Sequence, residues 1–127
     1  MKEITANLMV DDVDATLLWY KTVLGAEMVA AVPYTADDTR FQWALIRLGQ
    51  AQLMFQLRAS LEDELPILAG KKLGGSFSLY IKTEAVSSLH DQLQGKVEIL
   101  ESLHETFYGA HEFAIKDCNG YVLVFAE

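Results

Sequence analysis

Cysteine, proline, histidine and positive charge are all scarce in this chain of 127 residues. It holds one cysteine, two prolines, three histidines, and ten Lys plus Arg against eighteen Asp plus Glu. The lone Cys118 excludes an internal disulfide framework and fits a reducing compartment. With only Pro33 and Pro66 and no low-complexity tract, no flexible linker breaks the chain. A net charge of −8 repels phosphate backbones and anionic lipid, which argues against nucleic-acid and membrane-surface partners. No apolar run approaches the roughly 18 residues of a membrane span. Asp11 and Asp12 follow Met1-Lys2-Glu3 too closely for a signal-peptide core. The chain therefore reads as a cytoplasmic protein, and its 51% hydrophobic content is enough for one compact domain over 1–127.

What the sequence does hold is an internal repeat. An offset of 70 places Gly25 on Gly95, Trp43 on Phe113, Ala44 on Ala114, Leu45 on Ile115, Leu53 on Leu123 and Phe55 on Phe125. Nearer the start the offset is 73, with Leu8 on Ile81 and Val13 on Val86, so the second copy is shorter by three residues, about one helical turn. The duplication gives a first module over about 1–58, a connection over about 59–75 and a second module over about 76–127.

Periodicity agrees within each copy. Ile4 to Val10 alternates as a strand does, and Val13, Leu17, Tyr20 and Leu24 then mark one face of a helix. Asp12 is suited to its N-cap and Gly25 to its stop. Strands are predicted at about 26–34, 39–48 and 51–57, the last two joined across Gly49-Gln50. The second copy repeats the order: a strand near 76–83, a helix over Val86, Leu89 and Leu93 stopped by Gly95, and strands near 96–103, 110–117 and 121–126. Asn119-Gly120 is a hairpin signal between the last two. The acidic patch Glu62-Asp63-Glu64 in the connection suits a short exposed helix. The expected architecture is α+β, two βαβββ modules.

Strand alternation then sorts side chains onto two faces. Ala6, Leu8, Val10, Leu53 and Phe55, with Phe77, Leu79, Ile81, Leu123 and Phe125, form an apolar face that belongs under the helices. The other face collects Thr5, Asn7, Met9, Gln52, Met54 and Gln56, then Ser76, Ser78, Tyr80, Val122 and Val124. That mixture of apolar walls and a few polar groups suits a ligand cavity, with the sheets curling around a shared cleft.

The run Asp12-Val13-Asp14-Ala15-Thr16-Leu17-Leu18-Trp19-Tyr20 with Leu24-Gly25 resembles the first strand-helix signature of the glyoxalase/bleomycin-resistance/extradiol-dioxygenase superfamily, the vicinal oxygen chelate proteins. The segment Phe107-Tyr108-Gly109, Glu112-Phe113 and Asp117-Cys118-Asn119-Gly120-Tyr121 is similar to the family's closing signature, with Cys118 in place of its proline and Asn119 in place of its aspartate. The resemblance spans nearly the whole chain. It implies paired βαβββ modules and a homodimer.

The resemblance also poses a metal question. Members that are enzymes hold a divalent ion with four ligands drawn from His, Glu and Gln. Carried over by position, those ligands fall on Thr5, Met54, Ser78 and Val124. Neutral hydroxyls, a thioether and an alkyl group are poor donors for such an ion. A two-residue slip offers Asn7, Gln52 or Gln56, and Tyr80, still without His or Glu. His90 reads as a solvated helix residue, and the pairs His104-Glu105 and His111-Glu112 match no known ligand spacing. The expectation is no metal, no cofactor and no catalytic residue.

The metal-free branch, typified by bleomycin-resistance proteins, binds an amphipathic drug in a groove between subunits. Here the resemblance implies a groove walled by Asn7, Gln42, Met54, Gln56, Ser78 and Tyr80, with Tyr108 and Glu112 near its rim. The acidic balance favours a cationic ligand. The alternative is a glyoxalase-like lyase or isomerase with a non-standard metal site, for which His104 and His111 are the candidates.

Overall fold

The structure, a computed structural model, describes residues 1–127. It divides into two compact units, Met1–Lys71 and Lys72–Glu127. Each is a βαβββ module with one four-stranded mixed sheet.

In the first unit, β1 (Ala6–Val10) leads into α1 (Val13–Leu24), followed by β2 (Glu27–Pro33), β3 (Phe41–Leu48) and β4 (Ala51–Leu57). A short helix α2 (Arg58–Glu64) and a 3-10 turn (Pro66–Leu68) close it. The sheet order is β1-β4-β3-β2, with β1 parallel to β4 and the other pairs antiparallel. Helix α1 begins where the Asp12 carboxylate accepts the Ala15 N–H at 2.9 Å, satisfying one of the free donors of the first turn. It ends at Gly25, whose left-handed backbone (φ 69°) lets the N–H groups of Gly25 and Ala26 reach the carbonyls of Lys21 and Tyr20. Val13, Thr16 and Tyr20 are buried beneath it, while Leu17 and Leu24 are half-buried. The Tyr20 ring packs on Phe55 with centroids 4.9 Å apart. Leu8, Val10, Ala44, Ile46 and Leu53 complete this core, and each large apolar side chain contributes about 1.5–3 kcal/mol by leaving water.

The second unit repeats the plan with β5 (Ser78–Lys82), α3 (Val86–Leu93), β6 (Glu98–Glu105), β7 (His111–Lys116) and β8 (Val122–Ala126), in the order β5-β8-β7-β6. Strand β5 runs parallel to β8. The first turn of α3 has no side-chain cap of its own, and the Glu127 carboxylate supplies one by accepting the Val86 N–H at 3.0 Å. Phe113 stacks on Phe125 at 5.3 Å, and Ile115, Leu123, Leu93 and Val86 fill the space around them.

Three expectations need correction. His90 is not solvated: it is 7% exposed, its ring edge-on to Phe113 at 5.1 Å. Steps of four and three from Val86 lead to His90 and Leu93, so the imidazole lies on the buried stripe of α3 and Leu89 beside it. Phe77 is not under a helix. It precedes β5, stays 47% exposed and leans on Tyr121 at 5.9 Å.

The third concerns register. Leu8 pairs with Phe55 and Ile81 with Phe125, so the offsets of 73 and 70 hold for the parallel strands. In the β3–β4 hairpin, however, Ala44 lies opposite Phe55, whereas in β7–β8 Phe113 lies opposite Phe125. The equivalent of Phe113 is therefore Ala44, not Trp43, and Ala114 and Ile115 likewise match Leu45 and Ile46. The cause is the turn. Leu48 and Ala51 close over Gly49-Gln50 alone, but Asp117 and Tyr121 close over Cys118-Asn119-Gly120, one residue more. There the Asp117 Oδ1 accepts the N–H groups of Asn119 and Tyr121, both at 2.8 Å. This turn presses on the loop before β5: a Cβ on Gly74 would lie 2.7 Å from the Gly120 carbonyl oxygen.

Candidate functional site

Each sheet buries one face under its long helix, α1 or α3, and leaves the other free of it; in the first unit this helix-free face meets only the short α2, at Gln56. In the second unit the helix-free face carries Ser78, Tyr80 and Lys82 of β5, Val122 and Val124 of β8, Glu112, Ala114 and Lys116 of β7, and His104 of β6, by register. Its polar centre is Glu112. The hydroxyls of Tyr80 and Tyr108 both donate to Glu112 Oε1 at 2.5 Å, within the range of charge-assisted O–H···O⁻ bonds. Tyr108 reaches it from the β6–β7 turn, which is closed by the Thr106 N–H on the Ala110 carbonyl and the Gly109 N–H on the Thr106 carbonyl. Gly109 (φ 85°) supplies the left-handed residue this three-residue turn requires.

The electrostatics follow from that geometry. Donation from Tyr108, then Tyr80, holds the Glu112 carboxyl below its ordinary value, with the nearby His104 adding to the effect. The same bonds, with burial, push both phenols up, because a tyrosinate would lose its acceptor and face a carboxylate. Glu112 is 8% exposed, yet no Lys or Arg pairs with it: Lys116 is engaged by Glu98 at 2.7 Å, and Ala126 separates Lys82 from Glu112 across the sheet.

In the first unit the helix-free face carries Asn7 and Met9 of β1, Gln52, Met54 and Gln56 of β4, and Trp43, Leu45 and Arg47 of β3. Asn7 Nδ2 donates to Gln56 Oε1 at 2.8 Å, and Gln56 Nε2 donates to Ser60 Oγ at 2.9 Å and Glu64 Oε2 at 3.0 Å. With both amide hydrogens used and the residue 6% exposed, Gln56 braces β1, β4 and α2 and offers no spare donor.

Among the residues singled out from sequence, the structure thus brings Tyr80, Tyr108 and Glu112 together in one unit and Asn7, Met54 and Gln56 in the other. Ser78 is exposed on the face of Tyr80, opposite Val122. Gln42 does not join its group. It is the extra residue where the β2–β3 register shifts, and its side chain donates to the Pro33 carbonyl at 3.1 Å. The residue missed was Trp43, which lies opposite Gln56 just as Glu112 lies opposite Ala126. The turn lengths were the only signal that could have found it.

The four positions that the resemblance assigns to metal ligands fit no divalent ion, since Thr5, Met54, Ser78 and Val124 bring neither imidazole nor carboxylate. No group of three or more His, Cys, Asp or Glu side chains is placed to hold one elsewhere. His104 lies opposite Glu112 while His111 is its chain neighbour, so the two imidazoles leave opposite faces of the sheet. His104 Nδ1 contacts the Ser102 carbonyl at 2.9 Å, and Nε2 stands 3.6 Å from Glu101.

No helix is long and apolar enough to cross a membrane. No curated protein matches the chain by sequence. Solved structures share its fold at low identity. A superfamily member from Sphaerobacter thermophilus aligns with TM-score 0.79 at 19% identity, covering 100% of this chain and 98% of that one. A lactoylglutathione lyase from Agrobacterium tumefaciens aligns at 0.73 and 21%, covering 100% and 94%. TioX from a Micromonospora species aligns at 0.72 and 15%, covering 98% and 94%. The family model described as Glyoxalase/Bleomycin resistance protein/Dioxygenase superfamily matches residues 4–125, and with its two βαβββ modules this chain belongs to that superfamily.

Proposed function

We propose that the chain is a metal-free binding protein that sequesters an amphipathic, cationic small molecule, in a groove that a second copy of the chain completes. The observation that carries this reading is the donor chemistry of the helix-free faces. The positions from which the superfamily's enzymes would hold their ion bear Thr5, Met54, Ser78 and Val124, while the same faces keep the exposed Tyr80 and half-buried Trp43, Leu45, Val122 and Val124 around a few fixed polar groups. The net charge of −8 draws cations toward the protein. Open strand edges at β2 and β6, with Met28, Val29, Val32 and Leu100 exposed, favour a homodimer.

A thermal-shift screen of amphipathic cations, matched neutral compounds and divalent metals tests the reading. Cationic amphiphiles raise Tm and neutral analogues raise it less, because a ligand bound only by the native state stabilises it. Light scattering at tens of micromolar gives the mass of a dimer. A metal-dependent turnover of glutathione hemithioacetals would replace this reading with a lyase, the activity named for the Agrobacterium tumefaciens neighbour.

A further inference from the structure

Glu112 combines two features that the fold alone does not require. It is a carboxylate nine-tenths buried with no Lys or Arg to balance it, and its two tyrosine donors converge on one oxygen only. A carboxylate oxygen accepts about two hydrogen bonds, so Oε1 is filled. Oε2 takes no donor from the protein, and it is not sealed off, since no buried side-chain oxygen lacks a partner. The carboxylate is flanked by the partly exposed rings that hold Oε1, Tyr80 at 50% and Tyr108 at 57%, with the fully exposed Phe107 edge-on to Tyr108 at 4.9 Å.

Resting on the binding function proposed above, we infer that Glu112 Oε2 is the anchor for a protonated amine of the ligand, an ammonium bearing at least one N–H and carried on an aromatic or alkyl body. Three constraints select that class. The uncompensated carboxylate calls for a cation rather than a neutral donor. A guanidinium or amidinium gains its advantage by gripping both carboxylate oxygens in parallel, and the tyrosines already occupy Oε1. A quaternary ammonium has no hydrogen to donate, so it forgoes the bond to Oε2 and keeps only the attraction of the rings. The ligand's apolar body lies along Val122, Val124 and Ala114, which share this face.

NMR titration of the full chain with three matched probes tests this: 2-phenylethylammonium, 2-phenylethylguanidinium and 2-phenylethanol. The ammonium moves the amide signals of Tyr80, Tyr108 and Glu112 and binds about tenfold more tightly than either analogue. Glu112→Gln weakens the ammonium to the level of the alcohol. Tyr108→Phe returns one acceptor site on Oε1 and narrows the gap between guanidinium and ammonium, and it carries the test should the Gln variant fail to fold. Equal binding of the guanidinium or the alcohol by the native chain overturns the inference and leaves sequestration standing. An ammonium that shifts only signals away from these three residues also overturns it. Failure of all three probes overturns it too, and sequestration falls with it only if the wider thermal-shift screen is silent as well.

Discussion

Asn7 and Gln56 sit on the two parallel strands of the first unit and join them through a side-chain hydrogen bond of 2.8 Å. Because Gln56 also holds Ser60 and Glu64, this bond fixes α2 to the sheet as well as β1 to β4. Replacing Gln56 by Ala should cost about 2–3 kcal/mol, from three lost hydrogen bonds and the space left behind, read as a lower urea midpoint with an unchanged m-value. Gln56→Glu keeps the shape but sets a second carboxylate against Glu64. It should be milder in acid and worsen as the pH rises through the carboxylate range, and equal loss at both ends would show that charge has no part in it.

Glycines in two turns should respond differently to a methyl group. Gly74 has a left-handed backbone (φ 96°) and a Cβ there meets the Gly120 carbonyl at 2.7 Å, whereas Gly109 (φ 85°) has nothing within 4 Å. Gly109→Ala should cost about 1–2 kcal/mol for backbone strain alone. Gly74→Ala should cost more, since one backbone segment must also move off the other. Equal midpoints for the two variants in thermal or urea unfolding would contradict the close approach.

Ultraviolet titration of tyrosine reads the Glu112 cluster directly. Of five tyrosines, Tyr80 and Tyr108 should ionise above the ordinary value of 10.0 in the native protein. A raised native pKa stabilises the fold fully below the unfolded value, and this is lost as pH climbs through the native one. Glu112 behaves in the opposite sense. Its lowered native value gives stability above the ordinary 4.5, lost as the pH falls through the native value. Glu112→Gln should bring both tyrosines back toward 10.0 and flatten the acid limb of stability against pH. Tyrosines that titrate unchanged in that variant would separate them from the carboxylate.

Divalent metals should leave the melting temperature where it is, given the hydroxyl, thioether and alkyl side chains of Thr5, Met54, Ser78 and Val124. A rise with Zn or Ni that disappears in His104→Ala would place an ion beside Glu101 and reopen the enzyme reading.

Much of this was legible in the chain because local rules acted alone. The strand read from alternation over Ile4–Val10 forms at Ala6–Val10, and the caps Asp12 and Gly25, which depend on neighbours within a few residues, are both kept. The candidate site was legible only in part. Tyr80, Tyr108 and Glu112 meet through a turn and two strands separated by β8, and no spacing in the sequence encodes that all three share one oxygen. His90 looked solvated because its neighbours Asp91 and Gln92 are polar, but burial on a helix follows the stripe from Val86 and not the neighbours in sequence. Gln42, placed in the groove by the resemblance, falls at a register shift while Trp43 takes the position opposite Gln56, and the match of Ala44 with Ala114 at an offset of 70 hides the extra residue of the second turn.

That inequality of turns also says something about how a duplicated module acquires its own chemistry. A side chain on a strand has only two directions, so a residue added within a strand would exchange the inward and outward sets beyond it, whereas one held in the turn leaves both sets where they were. With the extra residue held in the turn, the same node of the sheet bears an indole at Trp43 in one module and a carboxylate at Glu112 in the other, while Phe55 and Phe125 keep their places beneath the helices. The longer turn thus absorbs the difference in length between the two hairpins, and the twin halves differ on their helix-free sides while what packs beneath the helices stays in register.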